Sequence, residues 1–240
     1  MRESRVGRDP LLPWLIFTGL TFFAFILLWY FGLIQRMISE DRTYISSLIV
    51  VLYIASSLHC LWRILSISRE SAAAEQTGTA VIRDGVGASG MGLVATHIRD
   101  LVTKARKQDG KRIDQTLLLR VLADRLRGSN AFGSFASDTL MKLGLLGTII
   151  GFIMMLAPIA GLDPENKVAM RSSMSLMSEG MAVAMYTTLA GLAASILLKI
   201  QYGFLDTATS RIFAYAVDLT EVHVVSALES SVERGGAPAE

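Results

Sequence analysis

The apolar residues of this chain are gathered into four long blocks separated by polar stretches. The first block, residues 11–34, holds no charged side chain and is rich in phenylalanine and leucine. The other three blocks cover residues 44–63, 141–161 and 180–200. A helix needs about 20 apolar residues to cross the hydrocarbon core of a bilayer. The pattern therefore predicts an all-α integral membrane protein with four transmembrane helices.

The polar stretches predict the parts of the chain that lie outside the bilayer. Residues 35–43 and 162–179 are short and predict two periplasmic connections. Within residues 64–140, hydrophobic positions recur at helical spacing over Met91–Lys107 and again over Lys111–Leu126. We expect this segment to form a helical cytoplasmic domain that extends the membrane helices.

The two ends of the chain are also polar. Residues 1–10 carry three arginines directly before the first block, and basic residues concentrate on the cytoplasmic side of a membrane. Residues 201–232 continue the helical spacing of the fourth block, and residues 233–240 end in a Gly- and Ala-rich tail. We predict a cytoplasmic N-terminus, a cytoplasmic C-terminal helix and a disordered tail, with both termini in the cytoplasm.

The composition supports a membrane protein and argues against several other classes. The residues are 52% hydrophobic and 18% charged, with a mean hydropathy of +0.46, which is too apolar for an ordinary soluble domain. The single cysteine, Cys60, excludes an intrachain disulfide and indicates no metal cluster. A net charge of +2 does not indicate a nucleic-acid partner. We find no cluster of catalytic side chains, so we predict neither an enzyme nor a cofactor.

One motif resembles a nucleotide-binding loop. Gly85–Gly90 reads GVGASG, which matches the glycine spacing of a dinucleotide fingerprint. That function requires a buried strand before the glycines and a parallel sheet around them, and Ala80–Ile82 is too short to be that strand. We interpret the glycines as a flexible turn.

A histidine lies near the end of the second block. His59 has two possible roles: a proton relay, or a boundary residue that reaches the lipid headgroups. We favour the second interpretation because the residue stands close to the end of the span.

The third and fourth blocks carry small and hydroxyl residues at helical spacing. Each set follows i, i+4, i+7, i+11 and so shares one helix face. The sets are Gly144, Thr148, Gly151 and Met155 in the third block, and Ala184, Thr188, Gly191 and Ser195 in the fourth. Such residues most often serve close helix packing, as the Gly147–Gly151 pair also indicates. The stripes predict a close neighbour without identifying it.

The spans hold no Asp, Glu, Lys or Arg at membrane depth. A protein that conducts protons or sodium ordinarily needs an ionisable group there. The chain is therefore either not a conductor or one that relies on a carboxylate from another subunit. Threonine hydroxyls beside such a carboxylate could serve an ion pathway, because they both donate and accept hydrogen bonds. Our candidates for that pathway are Thr148, Thr187 and Thr188.

Two segments resemble a known family. GLLGTIIGF at Gly144–Phe152 and EGMAVAMYTTLAGLAASI at Glu179–Ile196 resemble the paired motifs of the MotA/TolQ/ExbB family, whose members are channel subunits of bacterial inner-membrane motors. The resemblance implies a homopentamer around a dimer of a single-span partner of the ExbD/TolR/MotB type. The partner's aspartate would face the pore threonines, which Thr148 and Thr188 match by position. Gly191 matches the glycine that follows.

The resemblance implies that proton or sodium flow drives mechanical work in the inner membrane. The remaining predicted pore-lining residues are small residues that pack beside the threonines: Gly144, Gly147, Gly151, Ala184, Gly191 and Ser195. Two positions depart from the ExbB and TolQ pattern, because Val183 replaces a glutamate and Leu197 replaces a proline. The ion stays open, as does the driven process, whether flagellar rotation, TonB- or Tol-type transport, gliding or defence. A non-conducting scaffold packed through small residues is the alternative function.

Overall fold

A computed structural model describes residues 11–32, 34–35, 43–85, 90–107, 115–128, 130–161 and 167–228. Its α-helices are α1 (Leu11–Tyr30), α2 (Ile45–Asp84), α3 (Leu93–Lys107), α4 (Thr116–Arg127), α5 (Asn130–Leu156) and α6 (Lys167–Leu219). A 3-10 helix, Ala157–Gly161, follows α5, and a π-helical turn, Thr220–Val225, follows α6. The parts of the chain that the structure describes contain no strand.

Four of the described helices are long and apolar enough to cross a membrane. Their apolar side chains are widely exposed in the single chain, such as Leu20 at 65% and Leu145 at 62%. Water would oppose that exposure by roughly 25 cal/mol for each Å² of apolar surface, whereas lipid tails accept it. Helices also satisfy their own backbone hydrogen bonds, which the bilayer core requires. The prediction of a helical, multi-pass membrane protein is confirmed.

Two of the spans belong to much longer helices. Helix α2 runs for 40 residues and α6 for 53 residues, so α6 is about 80 Å long at 1.5 Å per residue. Residues 167–179, predicted as part of a connection, and residues 201–219, predicted as a separate extension, are both continuous with the fourth span. No proline interrupts α6, so the change from apolar to polar sequence does not end the helix.

Several predicted segments lie outside the described residues. They are residues 1–10, residues 36–42 of the first connection, residues 86–89 of the glycine motif, residues 108–114 at the start of the second predicted cytoplasmic helix, residues 162–166 of the second connection, residues 229–232 of the C-terminal helix and the tail 233–240. Ala80–Ile82, beside that motif, is part of α2.

The chain divides into two compact units. The polar unit comprises residues 1–13, 62–130 and 204–240, and the span unit comprises residues 14–61 and 131–203. In the polar unit, α3 and α4 pack against each other and correspond to the two helices expected within residues 64–140. Their amphipathic spacing turns one face of each helix inward. The buried residues are Val94, Ala95, His97, Ile98 and Leu101 on α3, and Leu122 and Leu126 on α4.

Two charged side chains of α2 hold the ends of α3 and α4. The Glu70 carboxylate accepts a hydrogen bond from the backbone N–H of Leu93, at the start of α3. The Arg63 guanidinium donates to the carbonyl oxygens of Leu126 and Arg127, at 3.3 and 3.4 Å, at the end of α4. A carboxylate at a helix N-terminus and a guanidinium at a C-terminus both complement the helix dipole. Seven residues separate Arg63 from Glu70, so one face of α2 carries both contacts.

Within the polar unit, the C-terminal part of α2 contacts the C-terminal part of α6. The hydroxyl end of Tyr215 packs directly over Gly78, where an added Cβ would overlap it. The pKa of Tyr215 is raised, first by burial and then by the negative charges of Glu75 and Asp218. The Gln115 side chain, just before α4, donates to the Glu221 carboxylate in the π-helical turn.

His97 makes the polar unit sensitive to acid. Its ring is 4% exposed, and its Nε2 has no hydrogen-bond partner within the described residues. Burial lowers the pKa of His97, and the nearby Asp100 opposes that shift. The folded state therefore favours the neutral ring. Its contribution to stability is complete above the unfolded pKa of about 6.5 and is lost as the pH falls through the lower folded pKa.

We expect α3 to open more readily in acid. In the full chain in lipid nanodiscs, amide exchange of α3 relative to α2 should rise several-fold between pH 7.5 and pH 5. His97→Leu should remove this dependence, because it takes away the group that must be charged. His223→Gln is the matched control, since His223 is exposed, and should behave as the native chain does. A native pH response that persists in His97→Leu would contradict the assignment.

Candidate functional site

Helices α5 and α6 meet along a line of small residues in the span unit. Gly144 faces Gly191, Gly147 faces Thr187, and Gly151 faces Ala184. The numbers rise along α5 while they fall along α6, so the two helices run antiparallel. We call this line of contacts the glycine seam.

The glycine seam brings backbone against backbone. A Cβ added at Gly191 would lie 2.7 Å from the Cα of Gly144, and one at Gly151 would lie 2.6 Å from the amide nitrogen of Ala184. A Cβ at Gly147 would lie 2.3 Å from the Oγ1 of Thr187. Real side chains do not approach that closely. The close approach of the two helices therefore requires glycine at these positions, as in the small-residue packing of membrane helices.

The seam continues at both ends, with one further contact at each. At one end the Ser137 hydroxyl donates to the carbonyl oxygen of Ser195, at 2.9 Å, and the two hydroxyl oxygens are 3.0 Å apart. At the other end a Cβ at Gly180 would lie 2.5 Å from the amide nitrogen of Met155. The register of Gly144 with Gly191 places Met155 opposite Gly180, whereas Ser137 contacts a residue about one helical turn from the position that this register gives.

Thr148 and Thr188 lie beside the seam, on the same side of the helix pair. Each follows a seam residue, Gly147 on α5 and Thr187 on α6, and is therefore turned by about 100° around its helix. Because the two helices run in opposite directions, these two rotations bring Thr148 and Thr188 to the same side of the helix pair. Both threonines are half-buried in the single chain.

Both hydroxyls are anchored to their own helices. Thr148 Oγ1 donates to the carbonyl oxygen of Leu145, and Thr188 Oγ1 donates to that of Ala184 at 2.8 Å. A hydroxyl that donates one hydrogen bond keeps its oxygen lone pairs as acceptors. The pair therefore presents two oriented oxygens at one level of the helix pair.

The structure places Thr187 differently from its neighbour. Its side chain is 0% exposed and fits the space left by Gly147. Its hydroxyl donates to the carbonyl oxygen of Val183, at 2.8 Å. Within one chain it is a seam residue, whereas Thr148 and Thr188 lie beside the seam.

The two helices of the seam lie in a part of the chain that matches a known protein family. A model of the MotA/TolQ/ExbB proton channel family matches residues 86–216, more than half of the chain. The chain belongs to the MotA/TolQ/ExbB proton channel family. The matched range includes all of α3, α4 and α5 and nearly all of α6, and so contains the glycine seam and both threonines beside it.

Membership of the MotA/TolQ/ExbB family supports an ion-channel role in a motor-type complex, and it supports assembly into an oligomer with a partner. Helices α1 and α2 both precede the matched range. The search of curated proteins and the search of solved structures found no match.

The predicted small residues of this MotA/TolQ/ExbB chain all lie along α5 and α6. Five of them face the other helix of the same chain in the seam, and Ser195 contacts Ser137. The neighbour that the stripes predicted is thus, in large part, the chain's own second stripe. Among the described residues, no group of three His, Cys, Asp or Glu side chains could hold a metal ion.

The structure gives His59 partners within the chain that neither interpretation of the sequence named. Its Nδ1 is 2.8 Å from the Tyr202 hydroxyl oxygen on α6, and its ring contacts Phe132 on α5 edge-on, with centroids 4.9 Å apart. No pattern in the sequence indicates this contact, because 143 residues separate His59 from Tyr202.

Proposed function

We propose that this chain is the pore-lining subunit of an ion-driven motor in the bacterial inner membrane. The observation that carries the proposal is the placement of Thr148 and Thr188 at one level, on one side of a closely packed helix pair. Packing alone explains the glycine seam, but it gives no reason for two hydroxyls beside it. In the proposal the ion pathway runs along Thr148 and Thr188, and Thr187 holds the helices together.

The pathway needs a carboxylate that this chain does not carry at membrane depth. We infer that a single-span partner of the ExbD/TolR/MotB type brings an aspartate to the two threonines. Their oxygens accept a hydrogen bond from the protonated acid or a contact from a bound cation. When the carboxylate is ionised, the hydroxyls can turn and donate to it. The same pair of side chains thus serves both states of the carboxylate.

The family supports the larger assembly of the proposal. Five copies would surround a dimer of the partner, with the Thr148 and Thr188 side of each α5–α6 pair turned inward. Both termini would lie in the cytoplasm, following the basic residues before α1. Proton or sodium flow past the carboxylate would turn the pentamer around the partner and deliver mechanical work.

The test is co-expression of the full chain with single-span proteins of the ExbD/TolR/MotB type from the same genome. We expect a stable complex whose native mass gives five copies of the chain and two of the partner. Liposomes that hold the complex should conduct protons or sodium, and the aspartate-to-asparagine form of the partner should assemble but not conduct. A chain that stays monomeric, or that forms a complex without ion flow, would instead support a non-conducting scaffold.

A further inference from the structure

A second polar site lies in the span unit, away from the threonines. His59 on α2, Tyr202 on α6 and Phe132 on α5 meet there. Thr188 and Tyr202 are 14 residues apart on α6, which corresponds to about 21 Å along the helix. The chain contains three histidines, and His59 is the one that lies within a predicted span, residues 44–63.

The Tyr202 hydroxyl lies between two possible partners. The Nδ1 of His59 is at 2.8 Å, and the carbonyl oxygen of Ser56 is at 3.5 Å. When His59 is neutral, the hydroxyl can donate to Nδ1. When a proton adds to Nδ1, that nitrogen becomes a donor, so the hydroxyl must accept and direct its own hydrogen toward Ser56. One added proton therefore reverses the hydrogen bond that joins α2 to α6.

Tyr202 cannot easily move away from this position. Its ring is 4% exposed, and a Cβ added at Gly133 would lie 2.1 Å from its Cδ1. Glycine at position 133 therefore creates the space in which the ring lies. Because the ring is fixed, a change at His59 must appear in the hydrogen bond or in the contact between the helices.

The preceding residue adds an unsatisfied polar atom at the same level. Gln201 is 0% exposed, and its amide nitrogen lies 3.5 Å from the Thr18 hydroxyl and 3.4 Å from the Tyr53 hydroxyl. Its Oε1 is buried and has no partner within the described residues. Buried polar atoms of this kind commonly bind ordered water.

The charged neighbours of the site are few in the contacts that the structure gives. Tyr202 is the titratable group that faces His59 from α6, and Phe132 brings an uncharged ring from α5. On α2, Arg63 follows one turn after His59, and its guanidinium donates to the end of α4. Protonation of His59 would therefore act first on Tyr202, its hydrogen-bond partner.

We propose that His59 and Tyr202 form a proton-binding site distinct from the threonine pathway. Its occupancy sets how ion-driven activity responds to pH on the side where α2 and α6 leave the membrane. The second statement rests on the proposed motor function, whereas the proton site does not.

The site itself is tested by NMR on the full chain in lipid nanodiscs with labelled histidine. His59→Gln assigns the His59 signal. We expect this signal to titrate in the native chain and its titration curve to be displaced in Tyr202→Phe. The titration curves of His97 and His223 serve as internal controls and should be the same in Tyr202→Phe as in the native chain. A His59 signal that does not titrate, or that titrates identically in Tyr202→Phe, would overturn the proposal.

The coupling is tested by ion flux through the complex with its carboxylate partner. We expect the native flux to change about fivefold between pH 6 and pH 8 on the predicted cytoplasmic side, roughly the factor that one hydrogen bond contributes to an equilibrium. The response should be lost in His59→Gln and in Gly133→Ala, which displaces Tyr202. It should persist in Gly203→Ala, where an added Cβ meets open space.

The possible results separate the two proposals. An unchanged pH response in His59→Gln would overturn the coupling. A complex that never conducts, combined with a displaced His59 titration in Tyr202→Phe, would refute the motor function and leave the proton site supported.

Discussion

Gly191→Ala is expected to force α5 and α6 apart and to prevent assembly of the complex. The added methyl group would lie 2.7 Å from the Cα of Gly144 and 2.9 Å from the carbonyl oxygen of Leu140. These are backbone atoms, so no side-chain rotation can relieve the contact. Overpacking of this kind costs about 1–3 kcal/mol, and here the whole helix pair must shift to relieve it. We expect little folded protein in detergent and no complex with the partner.

Gly203→Ala is the matched control, on the same helix and with the same added methyl group. A Cβ at this position meets no atom within 4 Å, and alanine favours a helix over glycine by about 1 kcal/mol. The control should be as stable as the native chain or slightly more so. The measurement is the yield of monodisperse protein together with its thermal unfolding in detergent. If Gly191→Ala behaves like Gly203→Ala, the glycine seam does not hold the helices together.

The sequence predicts the seam in part, and the reason is geometric. Helical periodicity shows that Gly144 and Gly151 share a face, because that depends only on 3.6 residues per turn. It does not show which helix the face meets, because a register between two helices is a property of their packing. The pairing of Gly144 with Gly191 therefore had to come from the structure.

The two adjacent threonines also show what helical periodicity leaves undetermined. Thr187 and Thr188 are chemically identical neighbours, and in the sequence both were candidates for the ion pathway. A rotation of about 100° separates them, which leaves one in the seam and the other beside it. The contact of His59 with Tyr202 is a further case, because it joins distant parts of the chain. Hydropathy was sufficient for the four spans, since lipid exposure acts on each helix separately.

The second large effect is expected at the threonines beside the seam. Thr188→Val should leave the oligomer and its partner assembled while ion flow and ion-driven work fall by about tenfold or more. Valine nearly matches the volume of threonine, so the packing of the half-buried side chain changes little. What is lost is an oxygen that would contact the carboxylate or the ion, and hydrogen bonds to charged groups contribute about 1.5–3 kcal/mol.

Thr187→Val makes the same chemical change one residue earlier and separates the two roles. Its hydroxyl donates to the backbone of its own helix, and its side chain is buried against Gly147, so valine should fill the same space and preserve most of the ion flow. Thr148→Val should resemble Thr188→Val, since these two oxygens lie on the same side of the pair. Equal losses in Thr187→Val and Thr188→Val would mean that the hydroxyls act through packing. The ordering of the three variants thus measures which side of the helix pair faces the ion.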